Sequence, residues 1–224
     1  MFMEKIIHLE TGILQVNTYI LKLNDCEAAV IDPGGNAEEI EKVLSECKLE
    51  LKACLLTHAH FDHIGALKEL SEKFPQSKLY VHKADSVYLG SNARKIQIEA
   101  FGRGGLAPYI EHSLPESLPS ADVLLEGTET LFEDSVEFSG GFSVLHTPGH
   151  SAGSICFYCK AENLLFSGDT LFAGACGRTD LTGGSSSQMK QSLEMLCKLP
   201  KDTLVLPGHG AGTFIREAEE ISIF

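Results

Sequence analysis

Positive charge is scarce in this chain. Lysine and arginine together number 18 against 31 aspartates and glutamates, for a formal net charge of -13 at pH 7. A nucleic-acid backbone is held by a basic footprint, so no nucleic-acid partner is expected. Long apolar runs are missing too. None approaches the roughly 18 residues of a membrane-spanning helix, so no membrane partner is expected either. The opening MFMEKIIHLE carries an early Glu4 and no continuous apolar stretch, which reads as no signal peptide. Cysteine supplies no framework. The count of seven is odd, and Cys156 and Cys159 fall in the run SICFYC, which reads as a strand and sets them on opposite faces. Reduced thiols, and with them a cytoplasmic protein, are expected.

What is present is a chain of 224 residues, 43% hydrophobic, which suits one domain with a real core. Short strand-like runs cover Lys5–Leu9, Val16–Leu23 and Ala28–Ile31, with a turn at Asn24-Asp25. Asp32-Pro33-Gly34-Gly35 breaks the third run. Asn36 is expected to cap a helix, with Glu39 completing a capping box and Ile40, Val43, Leu44 and Cys47 following at helical spacing. Ala53–Leu56 reads as a buried strand, Gly65–Phe74 as a helix, Lys78–Val81 as a strand, and His82 to about Leu89 as a short helix. Residues 90–122 hold several glycines and prolines and no long strand. They read as an inserted loop or broken helix, too long to be structureless in a compact domain. Strands return at Thr130–Phe132, Phe142–His146, Ser154–Tyr158 and Leu164–Phe166. Ser185 or Ser186 then caps a helix to about Cys197, with Met189, Leu193 and Leu196 inward. Thr203–Leu206 is a last strand and Thr213–Glu220 a closing helix. The pattern is α/β and two-halved, with a weak pseudo-repeat. Pattern alone does not separate one sheet from two.

The chemistry-bearing residues fall in four clusters. His58, His60, Asp62 and His63 lie in LLTHAHFDHIG, His150 in HTPGHSAGS, Asp169 in LLFSGDTLF and His209 in LVLPGHGAG. Each cluster follows a short apolar strand where it runs out into Gly, Pro, Thr or Ser. His58 and His60 point the same way if that segment stays extended. Asp62 and His63 stand just before a helix, where a carboxylate is favoured. Four ligands close a structural zinc site; seven candidates are enough for two ions. His8, His82 and His112 read as structural or surface residues. His146 reads as an edge residue, with a supporting role behind the site as the alternative.

These motifs resemble those of the metallo-β-lactamase superfamily, nearest its glyoxalase II-like (hydroxyacylglutathione hydrolase-like) branch. THAHFDHIGAL is similar to the family's THxHxDHxGG, with Ala66 at the second glycine. HTPGHSAGSICFY, LLFSGDTLFAGACGRTDLTGG and LPGHG are similar to its three later segments, and the likeness spans nearly all of residues 1–224 except 90–122. The resemblance implies a single domain with a four-layer αββα sandwich of two mixed sheets. It implies two divalent metal ions per chain, expected to be zinc, with iron or manganese as alternatives. One ion would be held by His58, His60 and His150, the other by Asp62, His63 and His209. Asp169 would bridge them with a hydroxide, and Asp62 and Asp169 would orient the metals and that nucleophile. His60 stands where the flavodiiron branch has a glutamate, which disfavours that branch.

The implied reaction is hydrolysis of a thioester such as S-lactoylglutathione, a small-molecule acyl-thiol whose leaving thiolate needs little acid help. The long enzymes of the branch add a C-terminal helical domain with glutathione contacts, and this chain ends soon after His209. Arg178 falls where those enzymes have a substrate-binding lysine. It is expected to clamp a substrate carboxylate, with a structural salt bridge as the alternative. Arg94, Lys95 and Arg103 form the main basic cluster and are expected to meet an anionic thiol carrier, or else to make a dimer contact or plain surface. Three other functions remain open: a mononuclear-iron persulfide dioxygenase, a lactonase or other ester or amide hydrolase, and a non-enzymatic metal-binding module.

Overall fold

A computed structural model describes residues 5–218. Its strands sort into two six-stranded sheets and one small hairpin. The first sheet holds β1 (Ile6–Thr11), β2 (Val16–Lys22), β3 (Glu27–Ile31), β4 (Glu50–Leu55), β5 (Lys78–His82) and β6 (Val123–Leu125) in chain order. Its first two pairings are antiparallel and the rest parallel. The second sheet uses β7 (Thr130–Leu131), β8 (Phe142–His146), β9 (Ile155–Cys159), β10 (Leu164–Gly168), β13 (Leu204–Pro207) and β14 (Thr213–Phe214). They run in the order β14-β13-β10-β9-β8-β7, with β10 and β13 the parallel pair. β11 (Leu171–Phe172) and β12 (Ala175–Cys176) make the hairpin. The two halves read in the sequence are these two mixed sheets.

The period of two along each buried strand assigns side chains to layers. On β3, Ala29 and Ile31 face the second sheet, while Ala28 and Val30 face the helices. On β9, Ile155, Phe157 and Cys159 enter the core between the sheets, and Cys156 and Tyr158 face the other way. Helices α1 (Ala37–Glu46), α2 (Leu67–Lys73), α3 (Ala93–Phe101) and α4 (Ala107–Ser113) lie on the first sheet. Helix α5 (Ser186–Leu196) covers the second with Met189, Leu193 and Leu196, and the short α6 (Ile215–Ala218) packs beside it. The result is the expected four-layer αββα sandwich. Among the described residues no helix is long and apolar enough to cross a membrane.

Several elements differ from the sequence reading. Asn36 precedes α1 but makes no capping bond through its side chain. Its backbone is left-handed (φ 53°), and its amide oxygen accepts the Gly12 N–H at 3.0 Å instead. Only Ser86–Tyr88 of the expected His82–Leu89 helix coils, as one 3-10 turn. The tract 90–122 contains α3 and α4. Strand β6 and the β11–β12 hairpin are too short to announce themselves. The closing segment begins as β14 before α6, and its expected end at Glu219 and Glu220 lies outside the described residues. Ser185 does cap α5, accepting the Gln188 N–H at 3.4 Å.

A polar tie joins the sheets at one end. Asn17 of β2 donates its amide to the carbonyls of Pro207 (3.0 Å) and Gly210 (2.9 Å), and Tyr19 donates its hydroxyl to Pro207 at 2.8 Å. These bonds hold the loop after β13, which carries His209. The seven cysteines form no disulfide among the described residues. Burial pushes the thiols of Cys54 and Cys156 up to about 12, while Cys26 is exposed. A thiolate-seeking reagent on the folded protein at pH 8 should therefore label Cys26 promptly, and Cys54 and Cys156 only after denaturant. Peptide mapping reads this out, and equal labelling of Cys156 and Cys26 would contradict the packing.

Candidate metal centre

The segment after β4 leaves the sheet at Leu56 and delivers His58 and His60. A single 3-10 turn, Phe61–His63, then swings Asp62 and His63 to the same place. His150 comes from the loop after β8, Asp169 follows β10 directly, and His209 follows β13. Strand ends from both sheets thus bring all seven residues together. The rings of His58, His60 and His150 stand 4.5–4.7 Å apart, and those of His63 and His209 5.3 Å apart. Asp169 lies among them. Its Oδ1 is 3.5 Å from His63 Nε2, and its Oδ2 is 3.6 Å from His150 Nε2 and 3.7 Å from His209 Nε2. Asp62 Oδ2 is 3.3 Å from His209 Nε2. Three trios have donor atoms within 4.8 Å of one another: His58, His60 and His150; His58, His63 and Asp169; and Asp62, His63 and His209.

Whether these residues suit a cation is decided by their unpaired atoms. His58 Nε2, His60 Nε2, His63 Nε2, His150 Nε2 and Asp169 Oδ1 are buried with no hydrogen-bond partner among the described residues. A buried polar atom without a partner costs roughly 1–3 kcal/mol, and here five such atoms converge. The titration behaviour agrees. Burial, then the charges of neighbouring imidazoles, lower the pKa of His58, so its ring stays neutral; burial and His150 do the same to His60. A neutral ring with a free lone pair is the ligand form of histidine. His63 goes the other way. Burial opposes its charge, but Asp62, Asp169 and Asp32 outweigh it and raise its pKa to about 10. For Asp62 burial pushes upward, yet His63 and His209 draw its carboxyl well below the usual range. Three carboxylates around one imidazole call for positive charge, which a divalent ion supplies in place of a proton. The donor set of nitrogen and carboxylate oxygen fits zinc, iron or manganese.

The ring nitrogens facing away from the centre are tied down, which fixes each ring's orientation. His63 Nδ1–H donates to Asp32 Oδ2 at 3.0 Å, and His150 Nδ1–H donates to the Arg178 carbonyl at 2.8 Å. His58 Nδ1 pairs with Thr57 Oγ1 at 3.1 Å. Asp32 also accepts the Thr57 N–H (2.8 Å) and hydroxyl (2.6 Å). Its backbone is left-handed, with φ 48°. Asp85 is wholly buried and joins two ligand loops, accepting from the N–H of Ala59 (3.1 Å), the hydroxyl of Ser151 (2.7 Å) and the N–H of Gly153 (2.7 Å). Gln97 of α3 donates to the Ala59 carbonyl at 2.6 Å. Gly208 has no alternative, because a Cβ there would collide with Asp169 Oδ1 and His63.

Sequence reasoning missed Asp32, Asp85 and Gln97. The only signal for Asp32 was its place in a turn that was read as a strand breaker. His146 does more than end a strand: its Nε2–H donates to the Ala152 carbonyl at 3.0 Å, and its ring stacks on His82 at 4.1 Å. His8 pairs with Asn17 at 2.7 Å, in keeping with a structural role.

A cleft of about 190 Å³ opens over the centre. His60, Asp62, His150, Asp169 and His209 form its floor, Leu14, Phe61, Phe101, Leu106 and Leu181 its walls, and Arg178 stands at its edge. The Arg178 fork is taken. Its Nε and one terminal nitrogen each donate to Asp180 at 2.7 Å, and this grip holds the Asp180 carboxyl down at about 2. Arg94 donates to the Leu114 carbonyl at 2.7 Å, Lys95 pairs with Glu99 at 3.9 Å, and Arg103 is exposed. None of these three lines the cleft.

The family model of the metallo-beta-lactamase superfamily matches residues 11–209. The chain belongs to that superfamily. It is a member of a metallo-hydrolase family, whose folds carry His and Asp metal sites. The chain is 37% identical to a probable metallo-hydrolase, YqgX, of Bacillus subtilis (strain 168), over 96% of this chain and 95% of the other. It is 31% identical to the hydroxyacylglutathione hydrolase GloC of Haemophilus influenzae, over 94% and 92%. Among solved structures, the BLEG-1 B3 metallo-beta-lactamase has a TM-score of 0.80 at 37% identity, covering 95% of each chain. TTHA1623 in a di-iron-bound form has a TM-score of 0.79 at 35% identity, covering 96% of this chain and 98% of that one.

The Asp32–His63 bond yields a sharp test. In Asp32→Asn an amide nitrogen in place of Oδ2 would donate to His63 Nδ1, forcing the ring proton onto Nε2, where a cation would bind. Chelator competition should show metal affinity falling about 10–100-fold while circular dichroism stays native. Unchanged affinity would mean that Asp32 does not set the tautomer.

Proposed function

We propose that the protein is a binuclear metal-dependent hydrolase of the glyoxalase II-like branch, acting on a thioester. His58, His60 and His150 hold one divalent ion and Asp62, His63 and His209 the other, with Asp169 between them. The observation that carries the reading is Asp169, whose Oδ2 lies 3.6 Å from His150 of the first trio and 3.7 Å from His209 of the second, with Oδ1 3.5 Å from His63. Zinc is the expected metal, and the di-iron form of TTHA1623 keeps iron in view.

When bound, a pair of divalent ions supplies an activated water at neutral pH and offsets the charge that develops on a carbonyl oxygen. The chain's own residues do the rest. Asp32, Thr57 and the Arg178 carbonyl hold three imidazoles in the ligand tautomer. Phe101 packs edge-on against His60 at 4.5 Å and keeps bulk water from that side. The walls offer no proton donor at neutral pH among the described residues, since they are apolar and Arg178 stays charged. That suits a leaving group that departs without a proton, as a thiolate with a pKa near 8.5 does. The hydroxyacylglutathione hydrolase GloC supports the same choice. The seven cysteines, without a disulfide, suit a reducing cytoplasmic setting. We take the chain as one domain, with residues 90–122 as its helical insertion. A second reading, opening of a β-lactam amide, is favoured by the likeness to BLEG-1.

Protein purified without chelator should carry about two metal ions per chain by elemental analysis and hydrolyse a thioester panel that includes S-lactoylglutathione. Chelation should abolish turnover, and adding metal back should restore it. His58→Ala and His209→Ala should each lower turnover by about 100-fold or more. One iron per chain with oxygen uptake on a persulfide would instead indicate sulfur oxidation. Turnover of a β-lactam with none on thioesters would select the second reading.

A further inference from the structure

The cleft's walls are more specific than its floor. Leu14 projects from the turn between β1 and β2 and is 38% exposed at the mouth, with Ile13 beside it at 46%. Facing it, the helical tract contributes Phe101 from the end of α3 and Leu106 just before α4. Leu181 completes that side, and its loop is fastened to α3 by a bond from the Thr182 hydroxyl to the Ala100 carbonyl at 2.7 Å. Phe101 is 1% exposed and wedged between Tyr88 (4.8 Å) and His60 (4.5 Å), so this wall does not yield. Among the described residues lining the cleft, Arg178 is the one lysine or arginine, and Asp180 already occupies its fork.

We infer that the cleft selects a thioester with an uncharged, apolar acyl group. The inference rests on the thioester reading and narrows it. In the reaction the oxygen of water bonds to the acyl carbon and the carbon–sulfur bond breaks; of the water's two protons one goes to the departing thiol and the other is released to solvent, leaving a carboxylate. A charged acyl end would lose its hydration against Leu14, Leu106 and Leu181, and the one lysine or arginine lining the cleft, Arg178, is already paired with Asp180. A chain of methylenes gains about fourfold in affinity for each group buried there.

Inert thioethers separate this idea from the hydrolase reading. The metal-loaded protein would be titrated calorimetrically with S-butyl-N-acetylcysteamine and its S-(3-sulfopropyl) counterpart, beside a turnover series of acetyl and butanoyl thioesters. The butyl compound should bind at least tenfold more tightly than the sulfopropyl compound. Leu106→Ala should narrow the ratio of butanoyl to acetyl kcat/KM. Equal or tighter binding of the sulfopropyl compound would overturn the inference even if every thioester turns over. The expected binding order without turnover would sustain the selectivity and sink the hydrolase reading.

Discussion

Five imidazoles and two carboxylates share one largely buried space, and their donor atoms point at one another rather than at partners. That convergence is the constraint on which the site depends. In a low-dielectric interior such a cluster is costly unless positive charge sits at its centre. The protein divides the problem. On the side of His58 and His60, burial keeps the rings neutral. On the side of His63, three carboxylates concentrate negative charge. A cation satisfies both sides, one with lone pairs and the other with charge.

The fold serves this centre by ending strands at it. β10 and β13 are neighbours in the second sheet, and the end of β4, in the first, meets theirs because the sheets pack face to face. The packing is apolar between the sheets, through Phe157, Phe166, Ile31 and Leu55. It is polar at the rim, through Asn17 and Tyr19 on the His209 loop and Asp85 on the loops of His60 and His150. Apolar burial supplies most of the adhesion, while the directional bonds set the loops to within the tolerance a metal needs.

The candidate ligands were legible in the sequence because each combines two local signals, an apolar run and a His or Asp at its Gly- or Pro-rich end. The sandwich was legible through its family likeness, and the alternation on β3 and β9 through the pattern itself. Asp32 and Asp85 were not. Asp32 meets His63 across 31 positions and Asp85 meets Gly153 across 68, and nothing local marks an acid whose partner comes from another element. Asn36 misled for the reverse reason: its capping preference is local, and a tertiary bond to Gly12 displaced it. Residues 90–122 showed turn-formers but not their use, because the worth of Phe101 and Leu106 lies in what they face.

Arg178 touches the metal centre only through its main chain. Its carbonyl orients His150, while its side chain belongs to the cleft's edge and to Asp180. Every amino acid has that carbonyl. The side chain at this position can therefore be exchanged, and with it the character of the edge, without disturbing the ligand that depends on it. The orientation of His150 and the character of the cleft's edge are thus separable at a single residue.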